Sequence, residues 1–204
     1  LFTTYTIDSE VYGVNKMENG AAEGGLRQRL VAAAIALLDQ GGGDGVTLRA
    51  LAKATGVSAM APYRHFADKA ALLGAVAEAG FAMLAEALAR ADAADSPRAA
   101  LVAQGVAYFH FAQARPALFR LMFRGEPGCE MPPGRYGEAF EILSRRVASL
   151  ACRDPATATM AAWGTVHGLA TLALDGKLPA ADAPIAAALA LLADGIAGDQ
   201  GRSG

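Results

Sequence analysis

Along this chain apolar residues recur at spacings of three and four, and the runs in which they do so are cut by glycine and proline. That period belongs to a helix with one buried face, because 3.6 residues complete a turn; a half-buried strand alternates with period two. Leu30, Val31, Ala34, Ile35, Leu37 and Leu38 form such a stripe, and Gly41, Gly42 and Gly43 stop it. No segment alternates for long enough to suggest a sheet, so the chain is expected to be all-α. With 204 residues, 53% hydrophobic and 19% charged, it has material for a substantial core in one or two domains and is not a disordered tail.

The same punctuation predicts the remaining helices. Thr47 caps a second one, in which Leu48, Leu51, Ala52 and Thr55 share a face and Gly56 offers a left-handed exit. Ser58 caps a third, reaching Phe66, and Asp68 caps a long fourth through Leu72, Leu73, Val76, Phe81, Leu84 and Leu88. Beyond the break from Asp92 to Pro97, helices are expected over Arg98 to Ala114, Ala117 to Phe123, Tyr136 to Leu150, Pro155 to Leu174 and Ala183 to Ile196. Arg124 to Gly134 holds three prolines and three glycines and reads as a loop.

Charge limits the partners. Eighteen basic and twenty acidic side chains leave a net charge of -2, too balanced for indiscriminate coating of DNA, so any nucleic-acid contact must be local. Residues 26–70 carry six basic groups (Arg27, Arg29, Arg49, Lys53, Arg64, Lys69) against three acidic ones, and this is where positive charge concentrates. Cys129 and Cys152 form no CxxC pair and are read as reduced thiols of a cytoplasmic protein. The apolar stretch from Ile185 to Ala193 is half of what spans a bilayer, so no membrane partner is expected. Leu1 to Lys16 lacks the basic start and apolar block of a signal peptide, and Met17 is the first methionine, so residues 1–25 are read as a tag or disordered leader.

Thr47 to Phe66 is thus two short helices joined by a glycine turn, the arrangement that offers a second helix to the major groove. Arg49 and Lys69 fall in first helical turns, where the macrodipole disfavours a cation by about 0.3–1 kcal/mol unless an anion is near, as a phosphate would be; two solvated surface cations are the plainer account. The run from Thr47 to Val76, with Gly56-Val57-Ser58, Tyr63, His65-Phe66, Lys69 and Leu72-Leu73 at these spacings, resembles the DNA-binding domain of the TetR family of bacterial transcriptional regulators. The resemblance implies that Thr47, Ser58, Tyr63, His65 and Lys69 hold the phosphate backbone and that Phe66 is core.

One departure stands out. Met60-Ala61-Pro62 replaces the Gly-Thr-Leu or Gly-Ala-Leu common in the family before the tyrosine. Pro62 has no N–H to give the Ser58 carbonyl, so the start of the reading helix is expected to be irregular. Ala59, Met60, Ala61 and Pro62 have no side-chain hydrogen bonds to offer bases, which leaves thymine methyl contacts, Arg49, Arg64 and DNA shape.

In the second half, Trp163, His167 and Thr171 recur every four residues, and Gly164 and Gly168 form a neighbouring stripe that implies close approach by another helix of the chain or by a twofold partner. Trp163, His167 and Gly168 resemble the Trp-His-Gly signature of a C-terminal ligand-binding domain found with some such regulators. The resemblance makes the last two helices a homodimer interface and the C-terminal half a sensor for a small-molecule effector. Tyr108, Phe109, Phe111, Met122, Phe123, Trp163 and His167 are the residues from which an apolar pocket would be built, although such stripes also serve as plain core. His110, His167 and Cys152 show no helical ligand pair, so no metal and no cofactor is expected. The expected organisation is leader 1–25, helix-turn-helix domain 26–70, helical ligand-binding and dimerisation domain 71–198 and tail 199–204. Three functions compete: a repressor released from a double-stranded DNA operator by an effector, a constitutive or corepressor-dependent binder, and a helical enzyme. The last finds no Gly-rich phosphate loop, HExxH or GxSxG in the sequence.

Overall fold

Residues 25–124 and 137–198 are described by the computed structural model, and they form eight α-helices and two short 3-10 turns, with no strand among them. In chain order the helices are α1 (Leu26–Gly41), α2 (Leu48–Thr55), α3 (Lys69–Ala91), α4 (Pro97–Ala114), α5 (Pro116–Arg124), α6 (Gly137–Ala148), α7 (Pro155–Leu174) and α8 (Asp182–Gly198). The turns are Gly43–Gly45 and Pro62–Arg64. The all-α expectation holds. Expectations for the leader, Cys129, the Pro- and Gly-rich loop up to Tyr136 and the tail lie outside the described residues.

Local chemistry sets the boundaries. Thr47 Oγ1 accepts the Ala50 N–H at 3.0 Å, and Asp68 Oδ1 accepts that of Ala71 at 2.8 Å, so α2 and α3 each start on a side-chain cap. Ser96 and Asp154 cap α4 and α7 in the same way, each followed by a proline at the first helical position. Gly56 ends α2 with φ 67° and ψ 26°, a left-handed conformation that a side chain would strain. Val57 N–H then reaches back to the Ala52 carbonyl at 3.0 Å, closing the helix in a Schellman turn.

The expected third helix from Ser58 to Phe66 does not form. Only Pro62–Arg64 is helical, and it is a 3-10 turn. The Ser58 carbonyl, which an α-helix would bond to residue 62, instead accepts the Ala61 N–H at 2.9 Å, because Pro62 has none to give. The Pro62 carbonyl then takes both His65 and Phe66 N–H groups at 3.0 Å, and Phe66 is driven into the core, 2% exposed.

Two compact units result, one ending at Val76 and the other beginning at Ala77. α3 serves both cores, with Leu72, Leu73 and Val76 buried on one side of that point and Phe81, Leu84 and Leu88 on the other. The sequence reading divides the chain after residue 70, at the start of the same helix. In the first unit Leu30, Ile35, Leu51 and Phe66 are buried, each contributing about 1.5–3 kcal/mol, and the Arg27 guanidinium lies 5.3 Å from the Phe66 ring centre. In the second, α4 is central and packs on α6, α7 and α8. Gly105 permits the closest of these approaches: a Cβ there would stand 2.7 Å from Leu189 Cδ1 of α8.

α3 is long and apolar enough to cross a membrane by length and composition, yet 61% of its most apolar window is buried inside the protein, as in an interior helix.

Candidate functional site

In the first unit the alternation of buried and exposed residues sorts core from face. Leu48, Leu51, Pro62 and Phe66 are buried, while all nine residues singled out for DNA contact (Thr47, Arg49, Ser58, Ala59, Met60, Tyr63, Arg64, His65 and Lys69) are exposed. Met60 and Tyr63 are the large apolar members, 64% and 50% exposed. They are two of the six large apolar side chains left exposed among the described residues. Lys69 Nζ donates to the Gly43 carbonyl at 3.0 Å, so the 3-10 turn after α1 holds the ammonium beside the first turn of α3. Asp68 supplies negative charge at that helix start, which eases the macrodipole conflict noted for Lys69. No acid occupies the first turn of α2, so Arg49 retains its conflict until an anion approaches.

The second unit has a partly open apolar cavity of about 40 Å³ between α3, α4, α5, α6, α7 and α8. Of the residues named from the sequence, Tyr108, Phe123 and Trp163 line it. Phe109, Phe111 and Met122 are buried outside its wall. His167 lies behind Tyr108, on a separate notch of about 130 Å³ that it shares with Arg120 and Asp175.

Tyr108, Trp163 and His167 form one hydrogen-bonded set. The Tyr108 hydroxyl stands 2.8 Å from His167 Nδ1, and the Trp163 indole N–H also bonds to it. An indole nitrogen only donates, so the phenol oxygen accepts from Trp163, and it pairs with His167 Nδ1 as donor or acceptor according to the imidazole tautomer. Burial holds His167 below the usual histidine range, which favours the neutral imidazole. Burial also pushes the Tyr108 phenol well above its ordinary value. The imidazole packs edge-on against Phe123, with ring centres 4.6 Å apart, and lies 5.4 Å from that of Phe119.

Sequence reasoning missed a polar cluster that reaches this wall through Gln104. Gln104 is 1% exposed, and its Nε2 donates to Asp92 Oδ1 at 2.6 Å. Asp92 also accepts from Arg146 Nε at 2.7 Å, and the guanidinium holds its carboxyl below the usual carboxylate range. The signal was available: Leu101, Gln104, Gly105, Tyr108 and Phe111 follow the helical period, and a glutamine in that stripe is a buried polar group that needs a partner.

α7 and α8 each carry an exposed stripe as well. Met160 and Leu172 of α7 are 69% and 45% exposed, and Leu191 of α8 is 76% exposed. A Cβ at Gly164 or Gly168 would meet nothing within 4 Å. Among the described residues, therefore, no helix of the same chain makes the close approach expected for these glycines.

Comparison with known proteins agrees with this division. Residues 30–76 match the model for bacterial regulatory proteins of the tetR family, and residues 101–196 match a tetracyclin repressor-like C-terminal domain. No curated protein matches the chain. A solved structure of unknown function from Rhodococcus sp. RHA1 is 37% identical, with TM-score 0.74 over 85% of this chain and 96% of that one. A TetR transcriptional regulator from Streptomyces coelicolor is 25% identical, with TM-score 0.66 over 85% and 98%. A TetR-family regulator from Pectobacterium atrosepticum, 23% identical with TM-score 0.70 over 89% and 96%, shares the fold. An exposed cationic face on the first unit, an all-helical second unit and two family matches, over residues 30–76 and 101–196, make this chain a member of the TetR family of DNA-binding transcriptional regulators.

Proposed function

We propose that the protein is a homodimeric repressor, released from a pseudo-palindromic operator by a small, largely apolar effector bound in the cavity of the second unit. The observation that carries this reading is the cavity itself, walled by aromatic side chains of α3, α4, α5, α6 and α7. The exposed stripes of α7 and α8 support pairing through these helices, and two reading heads about 34 Å apart match successive major grooves. Thr47, Ser58, Tyr63, His65 and Lys69 hold phosphates in this reading, while Arg49, Arg64, Ala59 and Met60 face the bases, the last two through thymine methyl groups. The setting is the bacterial cytoplasm, where the operator lies. Effector and DNA oppose each other by reciprocal coupling.

Selection of bound duplexes from a random pool, repeated with a metabolite library, tests the reading. Recovery of a pseudo-palindrome that one compound releases supports it; failure to prefer any duplex over heparin at moderate ionic strength overturns it. A second reading, a constitutive or corepressor-dependent regulator, draws on the cavity's volume of about 40 Å³, well below the ~300–1,000 Å³ of sites that hold drug-sized ligands. Operator binding that no compound changes would favour it.

A further inference from the structure

One residue of the cavity wall, Gln104, has a buried side-chain oxygen with no partner. Gln104 Nε2 is committed to Asp92, and this fixes which way the amide points. A carboxylate only accepts hydrogen bonds, so a flipped amide would press Oε1 against an Asp92 oxygen. Arg146 keeps Asp92 charged and in place. Gln104 Oε1 is left buried without a partner. Among the described residues the other such side-chain atom is Gln113 Nε2, which lies outside this wall. The remaining polar groups of the wall, the Tyr108 hydroxyl and the Trp163 indole, are bonded to each other and through Tyr108 to His167. Among the described residues no Lys, Arg, His, Asp or Glu lines the cavity.

Resting on the reading that this cavity is the effector site, we infer that Gln104 Oε1 selects an uncharged, largely apolar effector that carries a hydroxyl or N–H donor. A donor placed on Oε1 satisfies an acceptor that is otherwise stranded in an apolar wall. A hydrocarbon of the same shape leaves it stranded, an ether brings a second acceptor against it, and a carboxylate adds a charge that no cation in the wall neutralises. Discrimination by one buried neutral acceptor is about 10- to 100-fold in Kd.

The test uses four probes of one shape on the full chain: 4-ethylphenol, 4-ethyltoluene, 4-ethylanisole and 4-ethylbenzoate. Binding is read by calorimetry and by the emission of Trp163, the sole tryptophan, which stands in the wall. The expected order places the phenol about 10- to 100-fold tighter than the toluene and anisole, with the benzoate weakest. Gln104→Leu should abolish the phenol's advantage while the toluene still binds. If the three neutral probes bind the wild type equally, or the phenol keeps its advantage in Gln104→Leu, the inference falls while the cavity stands as a ligand site. If no probe binds or moves Trp163 emission, the effector-site reading falls and takes the inference with it. The wild-type series decides the matter even if Gln104→Leu does not fold.

Discussion

Removing one oxygen tests the account of the second unit most sharply. Tyr108→Phe leaves the ring, its 4% exposure and its edge contact with Phe119 untouched, so the packing contribution is nearly unchanged. What disappears is the hydroxyl that pairs with His167 Nδ1 and accepts from Trp163. Each hydrogen bond contributes a net ~0.5–1.5 kcal/mol, and a buried group left without a partner costs about 1–3 kcal/mol. Trp163 and His167 are each only partly buried, so water can reach the groups they lose, and the lower part of these ranges applies. The expected loss is about 2 kcal/mol, or a fall in Tm of about 4–8 °C for a chain of this size. Guanidinium unfolding followed by circular dichroism, at one fixed protomer concentration, measures it. A cycle with His167→Ala apportions it: the double variant should lose about 1 kcal/mol less than the two single losses added together. A Tyr108→Phe variant within 0.5 kcal/mol of wild type by this estimate, or a strictly additive cycle, would refute the hydrogen-bonded set.

Other consequences follow from named groups. Burial holds the His167 pKa below its ordinary 6.5, so the unfolded chain takes up the proton first; its contribution to stability is full above about pH 6.5 and shrinks as pH falls from there to the folded value, a slope that His167→Gln should remove from pH-dependent melting curves. Lys69→Ala should weaken binding to every duplex and lower the salt slope by about 0.9, whereas Tyr63→Phe should weaken binding without changing the slope, both read by fluorescence anisotropy across salt concentrations. Leu191→Glu places a charge on a side chain that is 76% exposed in the protomer, so the helices should persist in circular dichroism while sedimentation shifts to the single subunit. Gly105→Ala places a Cβ 2.7 Å from Leu189 Cδ1, so that side chain must shift, while alanine adds about 1 kcal/mol of helix propensity, and the net loss in denaturant titration should be no more than about 2 kcal/mol.

Helix positions were legible because each boundary has a local cause. Pro155 and Leu174 bound α7 as the sequence predicts, and the Thr47 cap and the Gly56 exit act within four residues of themselves. The third helix was misread for a related reason. Ser58 offers a good cap, but the missing Pro62 N–H lies four residues on, and the break spread further than the expected irregular first turn, through the whole segment. The exposure of the nine residues expected to contact DNA was legible because they alternate with the buried Leu48, Leu51, Pro62 and Phe66. The cavity was not, because which of several aromatic residues meet an empty space depends on how α4 sits against α6, α7 and α8. Phe109 and Phe111 flank the same helix as Tyr108 yet turn away from the cavity, a difference in rotation about one axis that periodicity alone does not fix. Asp92 and Arg146 are 54 residues apart, and only the fold brings them to Gln104.

The two polar features of the cavity wall differ in what a ligand can gain from them. Tyr108, Trp163 and His167 have their hydrogen bonds within the chain, so an effector that engages them must first break a bond worth about as much as the one it makes. Gln104 Oε1 has no such bond to break, and a donor that meets it gains the interaction outright. Size imposes the opposing term. A cavity of about 40 Å³ admits a ligand larger than a few water molecules only after wall side chains move, and if that open form is about 1% populated, apparent affinity falls about 100-fold. Phe140, 37% exposed and 5.2 Å from Trp163 between ring centres, is the wall residue with most freedom to move, since half-exposed rings lose least packing when displaced. A donor on Gln104 recovers a gain of the same order as this penalty. Effector strength should therefore track the donor before it tracks apolar area, because added area demands further opening of the wall, whereas the donor demands none.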